Sequence, residues 1–112
     1  MPRLRLTNDE LRSKPLATEW RRSDVGTLTS IDRRNTDVVL LAANPVRKGA
    51  LIANDAGAVL YVLMASGVSS ATRYSWRVDG NSNFEVPFGF VGEVRGVWAS
   101  NGAGAARVTE FT

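Results

Sequence analysis

The chain contains no cysteine and no histidine. Without thiols it can have neither a disulfide framework nor a thiol nucleophile, and without imidazole it lacks the commonest zinc ligand and the commonest general base. No apolar run is long enough to span a bilayer as a helix, and no basic-plus-apolar leader opens the chain. The expectation is a protein that begins as translated, stays soluble, has no membrane association and needs no cofactor. With no staples of these kinds, stability must come from packing or from neighbouring subunits.

What is present fits one domain: 112 residues, 44% hydrophobic and 22% charged. The net charge of +3 is unevenly spread. Up to Lys48 there are ten basic and six acidic residues, whereas from Gly49 onward four arginines face five carboxylates. An acidic partner surface would therefore meet the front half first, unless those cations only solvate the protein.

Residues 1–24 read as an extended basic arm. Leu4, Leu6, Leu11, Leu16 and Trp20 are scattered among charges with no sustained period. Thr7 and Glu10 could form a capping box for one helical turn, which Pro15 would close. So little apolar surface cannot fold alone, so the arm is either disordered or ordered by lying on something else. Arg3, Arg5, Arg12, Lys14, Trp20, Arg21 and Arg22 are the candidate contacts to a partner, with Trp20 as anchor, since aromatic and arginine side chains dominate interface energetics. Trp20 could equally fold back onto the chain's own sheet.

Residues 25–112 read as short strands and tight turns. Residues 25–31 suggest a first strand, possible at an edge, and 36–43 suggest one buried on both faces, stopped by Asn44-Pro45. Residues 50–53 and 58–64 read as a hairpin around Asn54-Asp55-Ala56-Gly57, residues that tolerate left-handed backbone. In 72–78, Tyr74, Trp76 and Val78 alternate with Arg73, Ser75 and Arg77, which assigns the two sets to opposite faces. Strands at 84–86, 91–100 and 105–111 follow. Strands recurring every eight to twelve residues point to an all-β fold, a small β-sandwich or jelly-roll-like barrel carrying the N-terminal arm.

Chemistry is hard to find. The glycines at 89–96 and 102–104 lack the helix that a phosphate cradle needs. Asp55, Asp79, Glu85 and Glu93 are scattered, and Glu93 with Arg95 reads as a surface pair on one strand. Arginines and rings on opposite faces of 72–78 make a poor base-stacking platform, so nucleic acid is disfavoured. Phe88, Phe90 and Trp98 are the candidate exposed aromatics. With Tyr74 and Trp76, some of these rings could serve a sugar platform, although a core role fits them better in so small a sandwich.

Several stretches, taken in order, carry a resemblance: Asn44-Pro45-Val46-Arg47-Lys48-Gly49, Asn54-Asp55 before Leu60-Tyr61-Val62, Tyr74-Ser75, Phe84-Glu85-Val86-Pro87-Phe88-Gly89-Phe90, Val94-Arg95-Gly96-Val97-Trp98-Ala99, and Gly104-Ala105-Ala106-Arg107-Val108-Thr109-Glu110. Together, over residues 25–112, they resemble a β domain of small virion proteins of tailed bacteriophages. The resemblance implies a non-enzymatic structural protein of the particle, with no active-site residues to carry over. In plan it is similar to capsid decoration or cement proteins, made in the host cytoplasm and bound to the major capsid protein or other virion proteins at the capsid surface. A homo-oligomer is implied, with a trimer favoured. A tail, neck or fibre component and a carbohydrate-binding attachment module are the alternatives.

Overall fold

The computed structural model describes residues 22–112. Of the expected arm contacts, Arg3, Arg5, Arg12, Lys14, Trp20 and Arg21 lie outside the described residues, as does the capping box.

The described chain is all-β. Its eight strands are β1 (Gly26–Asp32), β2 (Val38–Leu41), β3 (Gly49–Ala56), β4 (Leu60–Leu63), β5 (Trp76–Val78), β6 (Asn83–Val86), β7 (Val94–Trp98) and β8 (Gly104–Phe111). They form two four-stranded antiparallel sheets ordered β1-β8-β3-β6 and β2-β7-β4-β5. The first strand thus pairs with the last, the second with the seventh, the third with the sixth and the fourth with the fifth. This is one long hairpin rolled upon itself, joined within the sheets by β3·β8 and β4·β7. Such nested pairing is the topology of a jelly roll.

Period-two burial builds the core. Along β3, Ala50, Ile52, Asn54 and Ala56 turn inward, and Ala106 and Val108 of β8 join them. From the other sheet come Leu60 and Val62 of β4 with Val94, Gly96 and Trp98 of β7. Gly96 is needed for space: a Cβ there would lie 2.7 Å from Leu40 Cδ1 and 3.1 Å from Leu60 Cδ1. Gly104 is needed for conformation, because its φ of +115° starts β8 where a side chain would strike Ala56.

Three expectations are corrected. The hairpin around residues 54–57 does not exist: β3 runs through to Ala56, and β3 and β4 belong to different sheets. Asn54 lies inside the sandwich rather than in a turn. Residues 36–43 shorten to β2, which is an edge strand with only Leu40 and Leu41 fully buried. Residues 72–78 shorten to β5, and their rings separate. Tyr74 packs on Tyr61 of the outer face with ring centroids 4.9 Å apart, while Trp76 reaches across to Phe84 of the opposite sheet at 6.0 Å. The first strand does lie at an edge, and the final strand matches its expected span within a residue.

Candidate interaction surface at the arm end

Four segments meet at one end of the sandwich: residues 22–25 where the arm joins, the β2–β3 loop, the β6–β7 loop and the C-terminus. Local chemistry shapes the β2–β3 loop. Asn44 Oδ1 accepts the Val46 N–H at 3.1 Å and its carbonyl accepts the Arg47 N–H at 3.0 Å, with Pro45 presetting the bend. The turn sends the Arg47 side chain inward, where it is fully buried.

There Arg47 ties the end together. Its Nε donates to Glu110 Oε2 at 2.8 Å, Nη1 donates to the carbonyls of Phe90 and Gly92 at 3.1 and 2.9 Å, and Nη2 donates to the Ala42 carbonyl. Five donors in a rigid fork suit an arginine to this work and a lysine poorly. Backbone bonds complete the frame: Lys48 N to Phe111 O at 2.8 Å, Gly89 N to Lys48 O at 3.3 Å and Thr112 N to Val25 O at 3.0 Å. The loops are therefore held rigidly beside the root of the arm.

On this frame sits an apolar surface. A groove of about 280 Å³ is lined by Pro45, Val46, Arg47, Lys48, Phe88, Val91 and Thr112. Val46 is 63% exposed, Val25 51% and Phe88 42%, with Val91 and Phe111 also exposed. Lys48 borders this groove and two shallower hollows, one shared with Arg22, Ser23 and Asp24 and the other with Ser23, Phe88 and Phe111. The result is an apolar patch with a cationic rim, directly where the chain leaves for its arm. Contiguous exposed apolar surface rimmed by polar groups marks interaction sites.

The candidate residues fall out unevenly. Arg22 is exposed beside the patch and Phe88 is part of it. Phe90 is only half-buried, its ring packed against the core and over Gly92. Trp98 is a correction: it is 1% exposed, deep between the sheets, because its place in the inward set of β7 turns it to the core. Its Nε1 donates to Asn54 Oδ1 at 2.9 Å, while Asn54 Nδ2 donates to the carbonyls of Ala58, Val78 and Asp79. Buried Asn and Trp thus satisfy each other. Among the described residues the exposed tryptophan is instead Trp76, at 54%, lying nearly parallel to Phe84 at an interplanar angle of 24°. The sequence offered Trp76 as a platform ring but favoured a core role for it, and its place on a three-residue edge strand is what leaves it exposed. Val46 and Val91 were missed, since single valines in loops carry no pattern.

On the outer face of the second sheet a charged cluster fastens the β4–β5 loop. Arg95 Nε donates to Asp37 Oδ2 at 2.8 Å, Nη2 donates to the same oxygen and Nη1 donates to Glu93 Oε1 at 2.8 Å. The expected Glu93–Arg95 pair is there, extended by Asp37. The Ser69 N–H and hydroxyl donate to Asp37 Oδ1 at 2.8 and 2.6 Å. The Arg95 hydrogen bonds, reinforced by those of Ser69 and opposed by burial, hold the Asp37 carboxyl down at about 2, and the two carboxylates raise Arg95. Among the described residues, no group of three or more His, Cys, Asp or Glu could hold a metal. Comparison of the chain with protein-family models, with curated proteins and with solved structures found no match.

Proposed function

We propose that this chain is a structural protein of a bacteriophage particle, a decoration or cement protein that binds the outside of the head and acts by contact. The observation that carries this reading is the gathering of exposed Val25, Val46, Phe88, Val91 and Phe111 around a rigid groove at the end where the basic arm departs. A sandwich that seats this patch on one subunit can send its arm to the next. Fully extended, 24 residues reach roughly 80 Å. Arm docking costs ordering entropy, and contacts repeated by symmetry across a lattice offset it. A jelly roll alone would say nothing of function; the support lies in the patch, the arm and the sequence resemblance.

The test adds purified protein to heads assembled without it and measures co-sedimentation. Full-length protein should bind saturably, and deletion of residues 1–24 should leave a folded domain that no longer incorporates. Equal incorporation by the truncated protein would sink the role of the arm, and binding confined to tails or necks would move the protein to the tail reading.

A second reading rests on Trp76, whose exposed ring, backed nearly parallel by the half-buried Phe84, could stack on a sugar. Glycan-array binding that Trp76→Ala abolishes without unfolding the protein would replace the head reading with glycan attachment.

A further inference from the structure

β1 is an edge strand exposed along both faces from residue 26 to 30. Its ladder with β8 runs unbroken from Gly26↔Phe111 to Asp32↔Ala105, and the bonds Thr112 N to Val25 O and Arg33 N to Gly104 O extend it at both ends. In an antiparallel ladder, residues bonded to the neighbour alternate with residues whose N–H and C=O point away. Val25 and Arg33 bond the β8 side, so Thr27, Thr29 and Ile31 do too. Gly26, Leu28 and Ser30 therefore turn their backbone groups to the open edge, where no described residue meets them. Natural edges are blunted by lysine, proline or a bulge. Between Gly26 and Ile31 β1 has none of these, and it carries an exposed large hydrophobic, Leu28, at 66%.

We infer that two copies of this chain join through their β1 edges, antiparallel about a two-fold axis, merging two four-stranded sheets into one of eight strands. The side chains select the register. Opposing Leu28 with Leu28 would set Asp24 against Asp32, a like-charge pair directly across strands. A shift of two residues opposes Gly26 with Leu28 of the second copy, Asp24 with Ser30 and Arg22 with Asp32. Opposite charges then meet. Arg107, whose Nη1 donates to Ser30 Oγ at 2.9 Å, adds a second cation near the incoming Asp24. At Gly26 the missing side chain leaves the Phe111 ring 3.5 Å from where a Cβ would stand, so Leu28 of the second copy settles over the glycine against that ring. The two central pairs exchange two backbone hydrogen bonds each, and the symmetry makes every contact twice. The operator is a two-fold, where the virion resemblance favoured a three-fold, and the inference stands whether or not the protein binds a phage head.

The test uses the full-length protein in two measurements, sedimentation equilibrium over a wide concentration range and residue-resolved amide hydrogen exchange. The protein should dimerise. Exchange of the Gly26 and Leu28 amides should slow as concentration rises, while the Thr27, Thr29 and Ile31 amides stay protected by β8 at every concentration. Leu28→Lys should weaken the dimer about tenfold or more while leaving the thermal midpoint of the monomer unchanged. Leu28→Pro should do the same, because the N–H it removes faces the open edge; if it unfolds the domain, the lysine variant decides. A monomer at all concentrations overturns the inference, as does a dimer indifferent to Leu28→Lys. Gly26 and Leu28 amides protected in a monomer would also overturn it, by assigning the edge to the chain's own arm.

Discussion

Replacing Asn54 by alanine tests the structural account at its most demanding point. Asn54 is 1% exposed and bonds four partners: the Trp98 indole and the carbonyls of Ala58, Val78 and Asp79. It thereby stitches β3 to β7 of the other sheet, to the end of β5 and to the crossing that follows β3. Alanine leaves the buried indole N–H unpaired, at a cost of about 1–3 kcal/mol. Carbonyls that lose a donor and the small cavity left behind raise the total to about 3–5 kcal/mol. Against an overall stability on the order of 5–15 kcal/mol this is a large fraction, and it corresponds to a fall in Tm of roughly 15 °C or more. Urea unfolding followed by far-ultraviolet circular dichroism reads the difference. Trp98→Phe removes only the other half of the bond and should cost about 1–3 kcal/mol. The double variant should then cost less than the sum, by about 1 kcal/mol, because the second change removes a group already orphaned. An Asn54→Ala cost below about 1 kcal/mol, or strict additivity with Trp98→Phe, would refute the claim that this pair holds the sheets in register.

Further outcomes follow from the two ion clusters. The Asp37 carboxyl, lowered to about 2 in the fold from an ordinary 3.8, contributes stability that is complete above the ordinary value and lost as the pH falls through about 2. After discounting for solvent screening, the loss is on the order of 1 kcal/mol. Asp37→Asn should flatten that part of the stability–pH profile between about pH 5 and pH 2, measured by urea midpoints; an unchanged slope would contradict the assignment. Arg47→Ala strands the Glu110 carboxylate and three carbonyls at the arm end and should cost about 3–5 kcal/mol. Arg47→Lys should recover only part of that loss, since a single ammonium cannot reach all four acceptors; full rescue in thermal melts would show that charge alone matters.

The β class and most strand positions were legible because alternation and turn residues are local signals. The 105–111 strand, the edge position of the first strand and the Glu93–Arg95 pair all rest on period two alone. The sheet to which each strand belongs was not legible, since consecutive strands alternate between sheets except at β4–β5, and no local pattern encodes that. Asn54-Asp55 has the composition of a tight turn, yet three of the four side-chain partners of Asn54 lie 24 to 44 residues away, and they override its turn preference. Trp98 misled for a related reason. It stood among the candidate exposed aromatics, but an indole whose N–H finds a buried acceptor belongs in a core. Trp76 shows the reverse, an inward-facing position exposed because β5 lies at the rim of its sheet. The patch at the arm end is assembled from single valines and phenylalanines of separate loops, so only the fold brings it together.

Cryo-electron microscopy of phage heads assembled with and without this protein tests the central claim most directly. The account predicts added density on the outer capsid surface, with the sandwich seated by Val46, Phe88 and Val91 at its arm end and the arm followed across a boundary between capsid subunits. Identical maps from the two preparations would contradict it.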